Sequence, residues 1–195
     1  MKKYLLFICL FTFLYSQEDY YKITYTGESA DVQIFKKDKS DRAYGNIYFP
    51  LASDGDLGVI FKSEKSREKF LNFMNSSYDK FKEWESTAIK NDVRDFNKEI
   101  NKEIIGDTFY FHYGSWQFNY SGIQLKTAIR INEEGNAFFI LTIPSKASGS
   151  NQYIKSDANA EVINDLGMEE IRSALSNDVI NRVLSEKEDL DSLFQ

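Results

Sequence analysis

His112 is the only imidazole in this 195-residue chain, and Cys9 is its only thiol. Those two counts bound the chemistry. A Ser-His-Asp triad would have to use His112 as its base. The Gly-x-Ser-x-Gly elbow that exposes such a serine is absent from the sequence. His112 sits among aromatics on an expected strand, where a structural or surface role is the plainer reading. A thiolate zinc site needs several cysteines. The 30 Asp and Glu residues offer many carboxylate pairs for glycoside hydrolysis. That chemistry depends on the distance between two carboxyls, which sequence spacing does not set. Asp54-Gly55-Asp56 has the opening of a calcium loop without its later ligands, and it reads as a turn. A Gly-rich phosphate loop is also missing. No metal and no cofactor is expected.

The segment 108–121, TFYFHYGSWQFNYS, offers the chemistry of a surface instead. Gly114-Ser115 reads as a two-residue hairpin turn between strands 108–113 and 116–121. In that register Tyr113 faces Trp116, Phe111 faces Phe118 and Phe109 faces Tyr120, so six aromatics share one side. Aromatic planes stack on sugar rings, but six exposed together would leave a large apolar patch in water. The aromatic side is therefore assigned to the core. The opposite side carries Tyr110, His112, Gln117 and Asn119, which become the candidate binding contacts.

The remaining elements follow from periodicity. Tyr21, Ile23 and Tyr25 alternate with polar residues, and Gly27-Glu28-Ser29 offers a turn before a second strand around Val32 and Ile34. Residues 36–41 form a charged loop, 43–51 a strand ending at Pro50, and 57–61 a short strand. Ser63 is a good N-cap for a helix over about 64–91. Phe70, Met74, Tyr78, Phe81, Trp84 and Ala88 recur at spacings of three and four, which makes one apolar stripe. Opposite charges three apart, such as Glu64/Arg67, Lys80/Glu83 and Lys82/Glu85, decorate the solvated face. Trp84 belongs to the stripe and reads as core. Val93, Phe96, Ile100 and Ile104 extend this helix or form a second one. Residues 125–131 and 137–143 make another hairpin around Glu133-Glu134-Gly135, 146–152 a polar loop, and 153–163 a weaker strand. Residues 168–175 and 178–194 are helical, set off by Gly167. This order of elements predicts an α+β fold, an antiparallel sheet packed by a long amphipathic helix and C-terminal helices.

The first sixteen residues read as an address. Lys2 and Lys3 precede an apolar run from Tyr4 to Tyr15 that is broken only by Thr12. That run is too short for a membrane span of about 20 residues and matches a secretory signal peptide. Cleavage after Ser16 leaves 17–195 as one α+β domain, with no Cys, 22 basic and 30 acidic residues. Its stability must then come from packing, without disulfides. The acidic balance argues against nucleic acid as a partner. No membrane span is expected after cleavage.

Two stretches carry a resemblance. Residues 44–61, with Ile47-Tyr48-Phe49-Pro50 followed by Val59-Ile60-Phe61 and a helix, resemble small exported bacterial proteins of unassigned function. Glu83-Trp84-Glu85, Ala88, Asn91, Val93 and Phe96 are similar to another uncharacterised α+β group. The resemblance implies an exported α+β protein and assigns no site residue. The expected function is a non-enzymatic binding or cell-envelope accessory protein, periplasmic or extracellular, with a protein or glycan partner. The alternative is a secreted hydrolase using paired carboxylates or His112.

Overall fold

The computed structural model describes residues 19–25, 28–34, 46–52 and 55–182. The expected signal peptide with Cys9, the charged loop 36–41, Asp54 and the helix beyond 182 lie outside the described residues. In chain order the elements are β1 (Asp19–Tyr25), β2 (Glu28–Ile34), β3 (Ile47–Pro50), β4 (Leu57–Phe61) and α1 (Glu64–Lys90). Then come β5 (Phe96–Ile105), β6 (Thr108–Tyr113), β7 (Ser115–Asn119), β8 (Ile123–Ile131), β9 (Ala137–Ile143), β10 (Asn159–Val162) and α2 (Asp165–Ala174). Residues 177–182 are helical again.

The fold is α+β, with two antiparallel sheets in place of one. The first runs β1-β2-β3-β4-β6-β7 and the second β10-β9-β8-β5. Helix α1 is long enough to serve both. Near its start Phe70 packs on Phe49 and Phe61, with ring centres 5.3 and 5.5 Å apart. Further along, Tyr78 and Phe81 pack on Phe139 of the second sheet at 5.2 and 5.5 Å. One contiguous apolar core therefore spans both sheets. Each large side chain buried there stabilises the fold by about 1.5–3 kcal/mol.

Helix α1 forms where its stripe and cap place it. The Ser63 hydroxyl accepts from the Ser66 N–H at 3.2 Å, satisfying one of the free donors of the first turn. Phe70, Met74, Tyr78, Phe81 and Ala88 are buried as the spacing requires, and Trp84 is half-buried. The continuation beyond Ala88 is different. Residues 96–105, expected to be helical, form strand β5. Asp92 and Asp95 adopt positive φ angles of 48° and 45°, a conformation that Asp tolerates better than most residues and that ends the helix. Pairing with β8, with Phe96 opposite Ile131 and Ile105 opposite Ile123, then overrides the helical propensity of the Lys and Glu residues.

Other boundaries move for local reasons. Of the expected turn Gly27-Glu28-Ser29, Glu28 and Ser29 already belong to β2, where they pair with Tyr25 and Thr24. The 153–163 stretch contributes only the four residues of β10. Gly167 lies inside the first turn of α2, whose N-cap is Asn164; the Asn164 side chain accepts from the Gly167 N–H at 2.8 Å. The β8–β9 hairpin has the expected turn, with Gly135 at φ 89°.

Candidate functional site

The β6–β7 hairpin is shifted by one residue from the expected register. Tyr113 pairs with Ser115, so Gly114 alone, at φ 66°, turns the chain. His112 pairs with Trp116, Tyr110 with Phe118, and Phe111 with Gln117. Because side chains alternate along a strand, a shift of one residue in one partner changes which side chains share a face. The six-aromatic face therefore does not form. Phe109 and Phe111 enter the core, while Tyr113, Trp116 and Tyr120 are exposed.

The same shift divides the four candidate contacts. Tyr110 and His112 lie on one face with Trp116 and Phe118. Gln117 and Asn119 share the other face with Phe111 and Phe109. Both amides are already engaged there. The Ser148 hydroxyl donates to Gln117 Oε1 at 3.1 Å, and Asn119 Nδ2 donates to the Ala147 carbonyl at 2.9 Å. Gly149 N–H donates to the Phe118 carbonyl at 2.8 Å, so the 146–152 loop closes over the β7 edge. Gln117 and Asn119 thus position a loop.

Tyr110 and His112 belong to a row of rings across β3, β4, β6 and β7. Tyr48 and Tyr110 have centres 5.8 Å apart. Trp116 meets Tyr110 edge-on at 5.7 Å and His112 edge-on at 5.2 Å. Tilted and edge-to-face pairs of this kind are the favoured geometry for aromatic quadrupoles. Gly58 makes the row possible. It pairs with Tyr110, and a Cβ on it would lie 2.4 Å from the Tyr110 hydroxyl oxygen. The Tyr110 ring thus lies across the space a side chain would fill. Tyr110 is 7% exposed and Trp116 51% exposed, so the row rises from the sheet into solvent. Burial, then the neighbouring Tyr48, pushes the Tyr110 hydroxyl well above the ordinary phenol range and keeps it neutral. His112 is anchored through its backbone N–H, which donates to the Asp56 carbonyl at 2.8 Å.

The register expected from the sequence puts Trp116 in the core and gives Tyr48 no part in the site. A signal was present. In TFYFHY the purely apolar rings occupy 109 and 111, whereas the rings with polar handles occupy 110 and 112. That alternation separates the face turned to the core from the outer face of the sheet.

A titratable cluster lies elsewhere, in an open cleft of about 630 Å³ between α1, β9, β10 and α2. The Tyr78 hydroxyl donates to Asp165 Oδ1, and Lys82 Nζ lies 2.7 Å from Glu85 and 3.6 Å from Asp165. Burial, then the bond to Asp165, pushes the Tyr78 phenol well up. The Tyr78 hydroxyl, then Lys82, holds the Asp165 carboxyl below its ordinary value. The hydrogen bond to Glu85 raises Lys82. All three shifts move away from neutrality, opposite to what a general acid or base requires. The cluster joins α1 to α2.

A raised pKa stabilises the fold below the unfolded value, and a lowered one above it. The Tyr78 contribution is thus present below about pH 10 and lost above it. The Asp165 contribution is present above about pH 3.9 and lost as pH falls through the lower folded value. Tyr78→Phe should cost about 1 kcal/mol. It should also return the Asp165 carboxyl toward about 3.9, read by carboxyl chemical shifts against pH. An Asp165 titration that Tyr78→Phe leaves in place would refute the coupling.

Among the described residues, no three His, Cys, Asp or Glu side chains gather in a way that would hold a metal ion. Among them, too, no helix is long and apolar enough to cross a membrane. Compared with known families, characterised proteins and solved structures, the chain matches none.

Proposed function

We propose that this chain is an exported, non-enzymatic binding protein whose ligand is a glycan, held on the outer face of the β6–β7 hairpin. The observation that carries this reading is the half-exposed Trp116 ring, supported edge-on by Tyr110 and flanked by His112. A sugar face stacks on an indole, and an imidazole beside it supplies a polar contact to a hydroxyl. Neighbouring rings hold Trp116 in place, so little conformational freedom is lost on binding. The export reading is supported by Lys2 and Lys3 ahead of a short apolar run. Mass spectrometry of the protein recovered outside the cytoplasm should find Gln17 at the N-terminus, and a retained Met1 would sink the cleavage.

The binding test is a glycan array followed by titration with the best oligosaccharide. Trp116→Ala should weaken binding about tenfold or more, as expected for an aromatic anchor. His112→Ala should weaken it less. Equal binding by the wild type and both variants would overturn the assignment of this face.

A further inference from the structure

A second site is built where α1 ends over the second sheet. Trp84, Ala88, Phe96, Lys98, Ile129 and Ile131 help to line a groove of about 210 Å³ there. Its floor is apolar, with Ile129 and Ile131 fully buried and Ala88 nearly so. Phe96 at the lip is 40% exposed. The register puts Lys98 opposite Ile129 and Phe96 opposite Ile131, so this lysine occupies a position on the same face as core residues. Its ammonium lies 4.4 Å from the centre of the Trp84 ring.

Four carboxylates on the elements around the groove are paired. Glu83 is held by Lys80, Glu85 by Lys82, Asp92 by Arg94 and Glu99 by Lys126. Lys98 has no carboxylate partner among the described residues. A positive charge at the mouth of an apolar groove is complemented by a molecule with an apolar body and one negative end. A dry apolar cavity of about 150 Å³ takes a benzene ring, so this groove suits a chain of about eight carbons.

We propose that the groove binds a medium-chain monocarboxylate, its tail on Trp84, Ala88, Ile129 and Ile131 and its carboxylate on Lys98. This site is separate from the aromatic row, and the two proposals stand or fall independently. The test uses the full protein with Trp116→Phe, which leaves Trp84 as the sole indole of the two in the chain. Titration with octanoate should give a saturable change in Trp84 emission with Kd of about 1 mM, reasonable for so few non-hydrogen atoms. Lys98→Met should weaken octanoate about tenfold, and Lys98→Arg should restore it to within about threefold. Octylamine, with the same tail and the opposite charge, should bind at least about tenfold more weakly than octanoate. Circular dichroism confirms that each variant is folded. No saturation up to about 10 mM, undiminished octanoate binding by Lys98→Met, or equal binding of octylamine would each overturn the proposal.

Discussion

Arg67→Ala is expected to destabilise the fold by about 3–5 kcal/mol in urea denaturation, from two acceptors left without their donor at about 1–3 kcal/mol each and from the cavity left by a large buried side chain. Arg67 is 1% exposed. One of its guanidinium nitrogens donates to the Leu175 carbonyl and another to Asn177 Oδ1, while Glu64 lies 3.8 Å away. The first turn of α1 is thereby fastened to the last carbonyls of α2 and to the start of the helix at 177–182. A positive group at a helix C-terminus also meets the negative end of its dipole. Truncation leaves the Leu175 carbonyl and the Asn177 amide short of a donor and opens a cavity. Arg67→Lys keeps the charge but loses the planar fork, so an intermediate loss is expected. A loss under about 1 kcal/mol for Arg67→Ala would mean that the two helical segments hold together without it.

Gly58→Ala should cost about 3 kcal/mol, at the upper end for overpacking a well-filled site. The new Cβ would lie 2.4 Å from the Phe49 carbonyl oxygen and 2.4 Å from the Tyr110 hydroxyl. The tyrosine can swing away, but the strand backbone of Phe49 cannot do so without breaking the β3–β4 ladder. Stability and surface are linked here. Displacing Tyr110 removes the support under Trp116, so its emission should shift and the proposed glycan binding should weaken. A double-mutant cycle separates the two contacts. In a Tyr110→Ala background Gly58→Ala should cost less, yet not zero, because Phe49 still obstructs. A full rescue would place the whole clash on the tyrosine side chain.

The parts of this molecule legible in the sequence are those whose signal is local. Helix α1 has its cap at Ser63 and its stripe from Phe70 to Ala88 within one segment, and it forms over Glu64–Lys90. The β8–β9 hairpin joins two alternating runs through a glycine turn, and Ile131 meets Ala137 as the turn demands. Segment 96–105 was not legible in the same way. Phe96, Ile100 and Ile104 recur every four residues, a helical spacing that also suits one face of a regular strand, and the bulge between Glu99 and Asn101 then turns Ile104 to the face opposite Phe96. Only a free edge on β8 and two aspartates at positive φ decide between them.

The candidate site turned on a smaller difference. Both strands of the hairpin form where the sequence expects them, yet pairing Tyr113 with Ser115 instead of Trp116 puts Trp116 at the surface and not in the core. Competing hairpin registers differ by one residue and use nearly the same local interactions. Burial of Phe109 and Phe111 against the core selects between them, and that core is assembled from strands and a helix distant in sequence.

By itself, then, the sequence determined which segments form strong local structure, how few imidazole and thiol groups exist for chemistry, and that aromatic residues gather at one hairpin. The tertiary structure alone decided that one helix serves two sheets, that the end of the helical pattern becomes an edge strand, and which ring of the hairpin meets solvent. Local periodicity is encoded within a few residues, whereas register and facing are settled by contacts that exist only once the chain has folded.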